Sequence, residues 1–225
     1  MDVDVAQVSL LGNREENQDS VAVIRKDDAT LLIAIDGMGG HAGGAEAARL
    51  SVEVIAAEFE KAVLPVLDPQ GFMHCVIARA HAALVGLGDQ ISVEARPRAT
   101  CAMCLVQDGY AFWGHVGDSR IYHLRNGLVS ERSRDHSHVE VLLQEGLITE
   151  DEVLTHPMRN FVERCLGGDS ALPSMSITPY KRLDAGDVLL VCSDGFWSGL
   201  SDAEMAAITA HSGPISASLD VLADQ

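Results

Sequence analysis

The chain has 225 residues, 47% of them hydrophobic and 22% charged, enough apolar material for a single globular domain over residues 1–225. Sixteen basic side chains against 33 acidic ones give a formal net charge of −17, a surface that repels nucleic acid and anionic membrane. No apolar run approaches the roughly 20 residues of a membrane span and the acidic "MDVDVAQVS" start is no secretory signal, so a cytoplasmic monomer is expected.

Residues 3–10 alternate in polarity and predict a strand, followed by the polar turn "GNREENQDS". Residues 20–24 and 31–35 are short β-rich runs around "RKDDA", a hairpin. From Glu46 to Val63 the apolar residues fall at helical spacing and stop before Pro65; a second helix is predicted from Gln70 to Val85. The period then changes. "ATCAMCLVQDGYAFWGHVGDSRIYHLRNGLVSE" divides into strand-like runs at "QDG", "VGDS" and "RNG", the pattern of an antiparallel meander. Residues 136–165 read as short helical pieces, 175–181 and 187–194 as strands. "SDAEMAAITAH" opens with Ser201 and Glu204 spaced as a capping box, and a last helix starts near Pro214 and still runs at Gln225. Hairpins and helices segregate without βαβ alternation, which predicts an α+β fold with two antiparallel sheets face to face and helix pairs outside. A phospho-acceptor receiver domain, whose strands also end in Asp, lacks support for the same reason.

Five cysteines are present. Cys101 and Cys104 form a C-x-x-C pair, but they lie inside a strand-like run with no second pair, so they are expected in the core as reduced thiols.

Three motifs share one grammar: "LLIAIDG" and "VLLVCSDG" are apolar strands ending in Asp-Gly, and "FWGHVGDSR" ends in Gly-Asp-Ser. Asp-Gly is a turn dipeptide in its own right. Recurring after long buried runs, it also places carboxylates at a sheet rim, where Mg²⁺ or Mn²⁺ takes oxygen ligands while keeping waters. Two such ions about 3.5–4 Å apart activate water and steady an in-line displacement at phosphorus. An aspartate that spans both ions, followed by a glycine whose carbonyl approaches one of them, fits "IDGMGGHAGG". In "GNREENQDS", Arg14 can grip phosphate bidentately and Asp19 can hold metal-bound water.

In order along the chain, "REENQD", "DGMGGHAGGAEAA", "GHVGDSRIY", "RDHSHV", "HPMRN" and "VCSDGFW" resemble the PPM or protein phosphatase 2C-like metal-dependent Ser/Thr phosphatases of the bacterial stand-alone type, from about residue 5 to residue 210. The resemblance implies a four-layer α-β-β-α fold, a central antiparallel β-sandwich flanked by helix pairs, with a helical flap over about 138–170. It implies two Mn²⁺ or Mg²⁺ ions in a core site and a third, weaker one. Asp36 matches the bridging ligand, Gly37 the carbonyl ligand, Asp194 a further direct ligand, and Asp118 a ligand of the third ion shared with Asp194. Arg14 matches the phosphate-binding arginine and Asp19 the residue that orders metal-bound water. The resemblance further implies attack on phosphorus by a metal-bridging water, with no covalent phospho-enzyme. The partners implied are phosphorylated proteins, above all a cognate eukaryotic-like Ser/Thr kinase and its substrates.

Several positions depart from the wider family. Gln18 stands where animal relatives carry a glutamate, and Met38 replaces a histidine that some relatives offer as general acid; His41 has a different offset. The resemblance also implies a final strand with an Asp-Asn turn whose aspartate completes the site, expected beyond Gln225 because Asp220 and Asp224 have the wrong setting. The alternative reading is a catalytically impaired phosphatase-like binding or regulatory module. His136 and His138 could form a zinc pair but are expected in flap structure, as are His156 and Arg159, with substrate contact by Arg159 the alternative. Trp113 and Trp197 are expected as core or rim packing.

Overall fold

A computed structural model describes residues 3–12, 14–38, 41–210 and 213–223; Gly39, Gly40 and Asp224 lie outside the described residues, as does the His41 side chain. The first hairpin pairs β1 (Asp19–Lys26) with β2 (Ala29–Met38), turning at Asp27, whose φ of 48° lies in the left-handed region that Asp tolerates. Helices α1 (His41–Lys61) and α2 (Pro69–Leu87) follow, the second capped by the Asp68 side chain on the Gly71 N–H. Then come β3 (Arg98–Ala99), β4 (Cys101–Gln107), β5 (Tyr110–Val116), β6 (Arg120–Arg125) and β7 (Leu128–Arg132). Short helices α3 (His138–Gln144) and α4 (Glu150–Val153) precede the strand pieces β8 (Leu166–Gly167), β9 (Ser176–Ile177), β10 (Lys181–Arg182) and the longer β11 (Val188–Cys192). The one-turn α5 (Asp194–Trp197), then α6 (Asp202–Thr209) and α7 (Ile215–Ala223), complete seven α-helices among the described residues. At α6 the capping box forms as its sequence demands, Ser201 and Glu204 each satisfying the other's backbone N–H.

Two antiparallel sheets result. The larger runs β10-β5-β4-β2-β3-β8, with β1 on β2 and β9 on β5; the smaller is β11-β6-β7. The mixture of helices with antiparallel sheets is the coarse architecture the sequence predicts. Strand alternation sorts the core. Odd positions of β2 (Leu31, Ile33, Ile35) pack with Ile55 and Phe59 of α1 and Met73 and Ile77 of α2. Even positions face the other way: Leu32 joins Ala102, Cys104, Trp113 and Ile121 in a cluster with Leu189 and Val191 of β11. A third cluster joins Tyr122, Leu124 and Cys192 to Met205 and Leu222 of α6 and α7.

Two expectations are corrected here. Residues 3–10 form no strand: the β1 edge is met by side chains instead, with Gln7 Oε1 accepting the Val23 N–H and Arg25 donating to the Val3 carbonyl. The run 99–131 is not one meander. β4 and β5 belong to the large sheet and β6 and β7 to the small one, and the chain crosses between them at Gly117–Ser119, the turn that carries Asp118. Local periodicity fixes strands but not which sheet receives them. The cysteine expectation holds: Cys101 faces the helices and Cys104 the sheet interface, and burial pushes both thiols up to about 12.

Candidate metal centre

Strand register builds the first half of the site. Asp19 opens β1 directly across from Asp36, so the two carboxylates project side by side from the same sheet face, the one turned toward β11. Like charges facing each other on neighbouring strands are destabilising. Asp194 begins α5 two residues after β11 ends, and Asp118 lies on the crossing between the sheets. Both sheets thus deliver carboxylates to one end of their interface. A long groove of about 2350 Å³, which also runs past Val3, Leu124, Leu189 and Leu222, takes Arg14, Asp19, Asp36, Asp118 and Asp194 into its lining, with Gly37 and Met38 beside them.

The electrostatics show how closely the acids approach. Burial first, then the charges of Asp194, Asp19 and Asp118, raise Asp36 to about 8, and a hydrogen bond with Asp19 adds to the shift. Burial and the Asp194 and Asp135 charges raise Asp118 to about 7. Asp194 is raised by burial and by Asp19, opposed by the Gly195 N–H and the Arg14 guanidinium, which places that guanidinium within electrostatic reach of the cluster. Oδ1 of Asp118 is buried with no hydrogen-bond partner among the described residues. An oxygen stripped of water and left without a donor is what a cation, or a water held by one, would satisfy. Among the described residues no three acidic, histidine or cysteine side chains already close into a metal cage. The donor set is hard oxygen, few in number and spread over a groove, which fits Mg²⁺ or Mn²⁺ retaining waters and does not fit tetrahedral zinc.

The glycines around Asp36 serve close packing. A Cβ on Gly37 would collide with the Gly44 carbonyl oxygen, and one on Gly44 would lie 2.7 Å from the Gly37 carbonyl oxygen and 2.9 Å from the Gln18 side chain. The end of β2 and the first turns of α1 therefore touch backbone to backbone. The Gly37 carbonyl itself lies against α1.

Several supporting residues were not singled out by the sequence. Ser193 Oγ donates to Asp19 Oδ2 at 2.5 Å, and the Asp19 N–H donates to Asn17 Oδ1. Trp197, expected as packing, donates its indole N–H to the Asp118 carbonyl at 2.9 Å and lies 3.4 Å beneath the Arg120 guanidinium. Arg120 grips Asp135 bidentately at 2.9 and 2.7 Å. Their only advance signal is adjacency: Ser193 precedes Asp194, and Arg120 follows Asp118 by two.

The histidines take structural places. His136 Nδ1 accepts the Gly117 N–H, its own N–H donates to the Gly117 carbonyl, and its ring stacks on His115 at 4.6 Å. His138 pairs with Glu163 at 2.9 Å, so the two histidines do not converge on a zinc ion. His156 caps the Met158 N–H, and Arg159 donates to the Leu154 carbonyl.

The sequence matches the family described as Protein phosphatase 2C over residues 7–223. The chain belongs to the protein phosphatase 2C family. It is 31% identical over 198 residues to a putative protein phosphatase 2C-type of Streptococcus pyogenes serotype M6, covering 87% of this chain and 79% of that protein. Among solved structures, the S. agalactiae serine/threonine phosphatase superposes with a TM-score of 0.85 at 25% identity, covering 97% of this chain and 89% of the other. The catalytic domain of the serine/threonine protein phosphatase PstP, in complex with 2 manganese ions, gives a TM-score of 0.78 at 26% identity and covers 94% of this chain and 85% of that one. No helix of the described residues is long and apolar enough to cross a membrane.

Proposed function

We propose that the chain is a metal-dependent phosphatase of phosphoserine and phosphothreonine in proteins, working as a monomeric single domain in the cytoplasm. The observation that carries this reading is the gathering of Asp19, Asp36, Asp118 and Asp194 at one end of the sheet interface, near enough to act on one another's charge, with Arg14 in reach of Asp194. Asp36 is assigned to bridge two Mn²⁺ or Mg²⁺ ions, Gly37 to offer its carbonyl, Asp194 to ligate directly, and Asp118 to share a third ion with Asp194. Bound there, such ions supply an activated water and the positive charge that stabilises the phosphoryl transition state.

The chain's own residues do the rest. Arg14 holds two phosphate oxygens through its guanidinium fork and aligns phosphorus over the carboxylates. Asp19, fixed by the Ser193 hydroxyl, accepts a hydrogen bond from water entering the groove and orients its lone pair toward phosphorus. Met38 offers no proton, so the leaving serine or threonine oxygen takes one from solvent in the groove. The three apolar clusters support the four-layer α-β-β-α arrangement. Residues 138–170 are assigned as the flap, closed at its base by the Ser137–Val162 bridge and the His138–Glu163 pair. Substrates are phosphorylated proteins, including a cognate Ser/Thr kinase. A binding module without catalysis has no use for mutually repelling buried carboxylates.

The test is phosphate release from a phosphothreonine peptide with Mn²⁺ or with chelator, beside Asp36→Asn. Metal-dependent release by the wild type, lost in a folded Asp36→Asn, is the expected result. Equal release with and without Mn²⁺, or full activity in the variant, overturns the reading.

A further inference from the structure

Thr100 lies between β3 and β4, and the register Gly37↔Ala99 and Ala34↔Ala102 continues through it, setting Thr100 directly across from Asp36. A hydrogen-bonded antiparallel pair exchanges two backbone bonds. Only one is present here: the Thr100 N–H donates to the Asp36 carbonyl at 2.8 Å. The Asp36 N–H donates instead to the Thr100 side-chain oxygen Oγ1 at 3.1 Å. One threonine thus holds both backbone polar groups of the acid that sits most centrally in the cluster.

The same hydroxyl reaches the turn that leads into the other sheet. Thr100 Oγ1 lies 2.6 Å from Ser119 Oγ, and both residues are completely buried. Ser119 follows Asp118 on the crossing turn. Gly117, on the other side of Asp118, has a φ of 101°, and a Cβ there would come within 2.7 Å of the Thr100 Cβ. The turn therefore presses its backbone onto Thr100 on one flank of Asp118 and bonds to it on the other. Through this hydroxyl the strand that carries Asp36 is linked to the turn that carries Asp118.

We propose that Thr100 and Ser119 are positioning residues that fix the separation of the Asp36 and Asp118 carboxylates, and through it the affinity of the site for divalent cations. Two carboxylates that repel each other drift apart unless their backbones are tied; here the Thr100 hydroxyl takes the place of a ladder bond and ties β2 to the crossing turn. Outer partners of this kind set metal affinity without touching the ion. The inference rests on the reading of Asp36 and Asp118 as cation ligands.

The test is a Mn²⁺ titration, followed by calorimetry and by the Mn²⁺-induced rise in melting temperature, of wild type, Thr100→Val, Thr100→Ser and Ser119→Ala. Thr100→Val, equal in shape but without the hydroxyl, raises the half-saturating Mn²⁺ concentration about 10- to 100-fold, and Thr100→Ser returns it to within about threefold of wild type. Ser119→Ala raises it in the same direction, and the peptide KM at saturating Mn²⁺ stays unchanged. A purely structural role lowers the metal-free melting temperature and leaves the Mn²⁺ midpoint in place; that result overturns the proposal. If Thr100→Val does not fold, Ser119→Ala decides alone, since it removes a single oxygen. A wild type that takes up no Mn²⁺ overturns the cation reading itself, an outcome distinct from unshifted variants.

Discussion

Replacing Asp36 with asparagine should make the metal-free protein more stable while removing what the site is for. Asp36 is held near 8 in the fold against 3.8 ordinarily, by burial and three neighbouring carboxylates. The native state therefore keeps a proton that the unfolded chain releases, and stability falls as pH rises between those two values. At pH 7 the upper bound on that cost is about 4 kcal/mol, and the residual solvent contact of the half-buried side chain reduces it to about 1–3 kcal/mol. Asparagine is close to isosteric, carries no charge and can donate to Asp19. Urea denaturation in the presence of EDTA should place the Asp36→Asn midpoint above wild type at pH 7, with the gap closing as pH approaches 4. Saturating Mn²⁺ should reverse the order, because a ligand at 100 times its Kd adds about 2.7 kcal/mol to the wild type alone. A variant less stable than wild type without metal at pH 7, or a gap that ignores pH, would refute the electrostatic reasoning.

Other consequences follow from the surrounding packing. Burial, the neighbouring His115 and Arg164 lower His136 to about 3 against 6.5 in the unfolded chain, so the unfolded state binds the proton first and the stability that neutral His136 contributes is lost as pH falls below 6.5. The advantage of wild type over His136→Gln should accordingly shrink on acidification, by up to about 1.4 kcal/mol per pH unit, read from urea midpoints. Arg120→Lys keeps the charge but loses the fork on Asp135 and the stack on Trp197. It should cost about 1–3 kcal/mol and alter Trp197 fluorescence. Gly44→Ala forces a methyl against the Gly37 carbonyl and should cost about 1–3 kcal/mol by the same assay.

The elements with a clean local cause were legible in the sequence. Hairpin β1–β2, helices α1 and α2, and the capped start of α6 follow from periodicity and from Ser201 and Glu204. What failed depended on long-range partners. The alternation of residues 3–10 looks like a strand, but Gln7 supplies the β1 edge with a side chain, which no local pattern reveals. The division of the 99–131 run between two sheets turns on Gly117, whose tight contact with Thr100 is invisible before folding. In the candidate site, Asp36, Asp118 and Asp194 were readable because each follows an apolar run, whereas Asp19 stood in a polar turn beside Arg14. Their supports, Thr100, Ser119, Ser193 and Trp197, were not, since hydroxyls and an indole carry no periodic signature. The glycines after Asp36 were legible as close approach, but part of that approach is to α1.

On the proposed function, the four carboxylates gather a pair of closely spaced hard cations at the end of the sheet interface. Electron paramagnetic resonance of the protein titrated with Mn²⁺ tests it most directly. Two ions about 3.5–4 Å apart should give a spin-coupled spectrum in the wild type that Asp36→Asn abolishes. A spectrum of isolated Mn²⁺ only, the same in both proteins, would contradict the account.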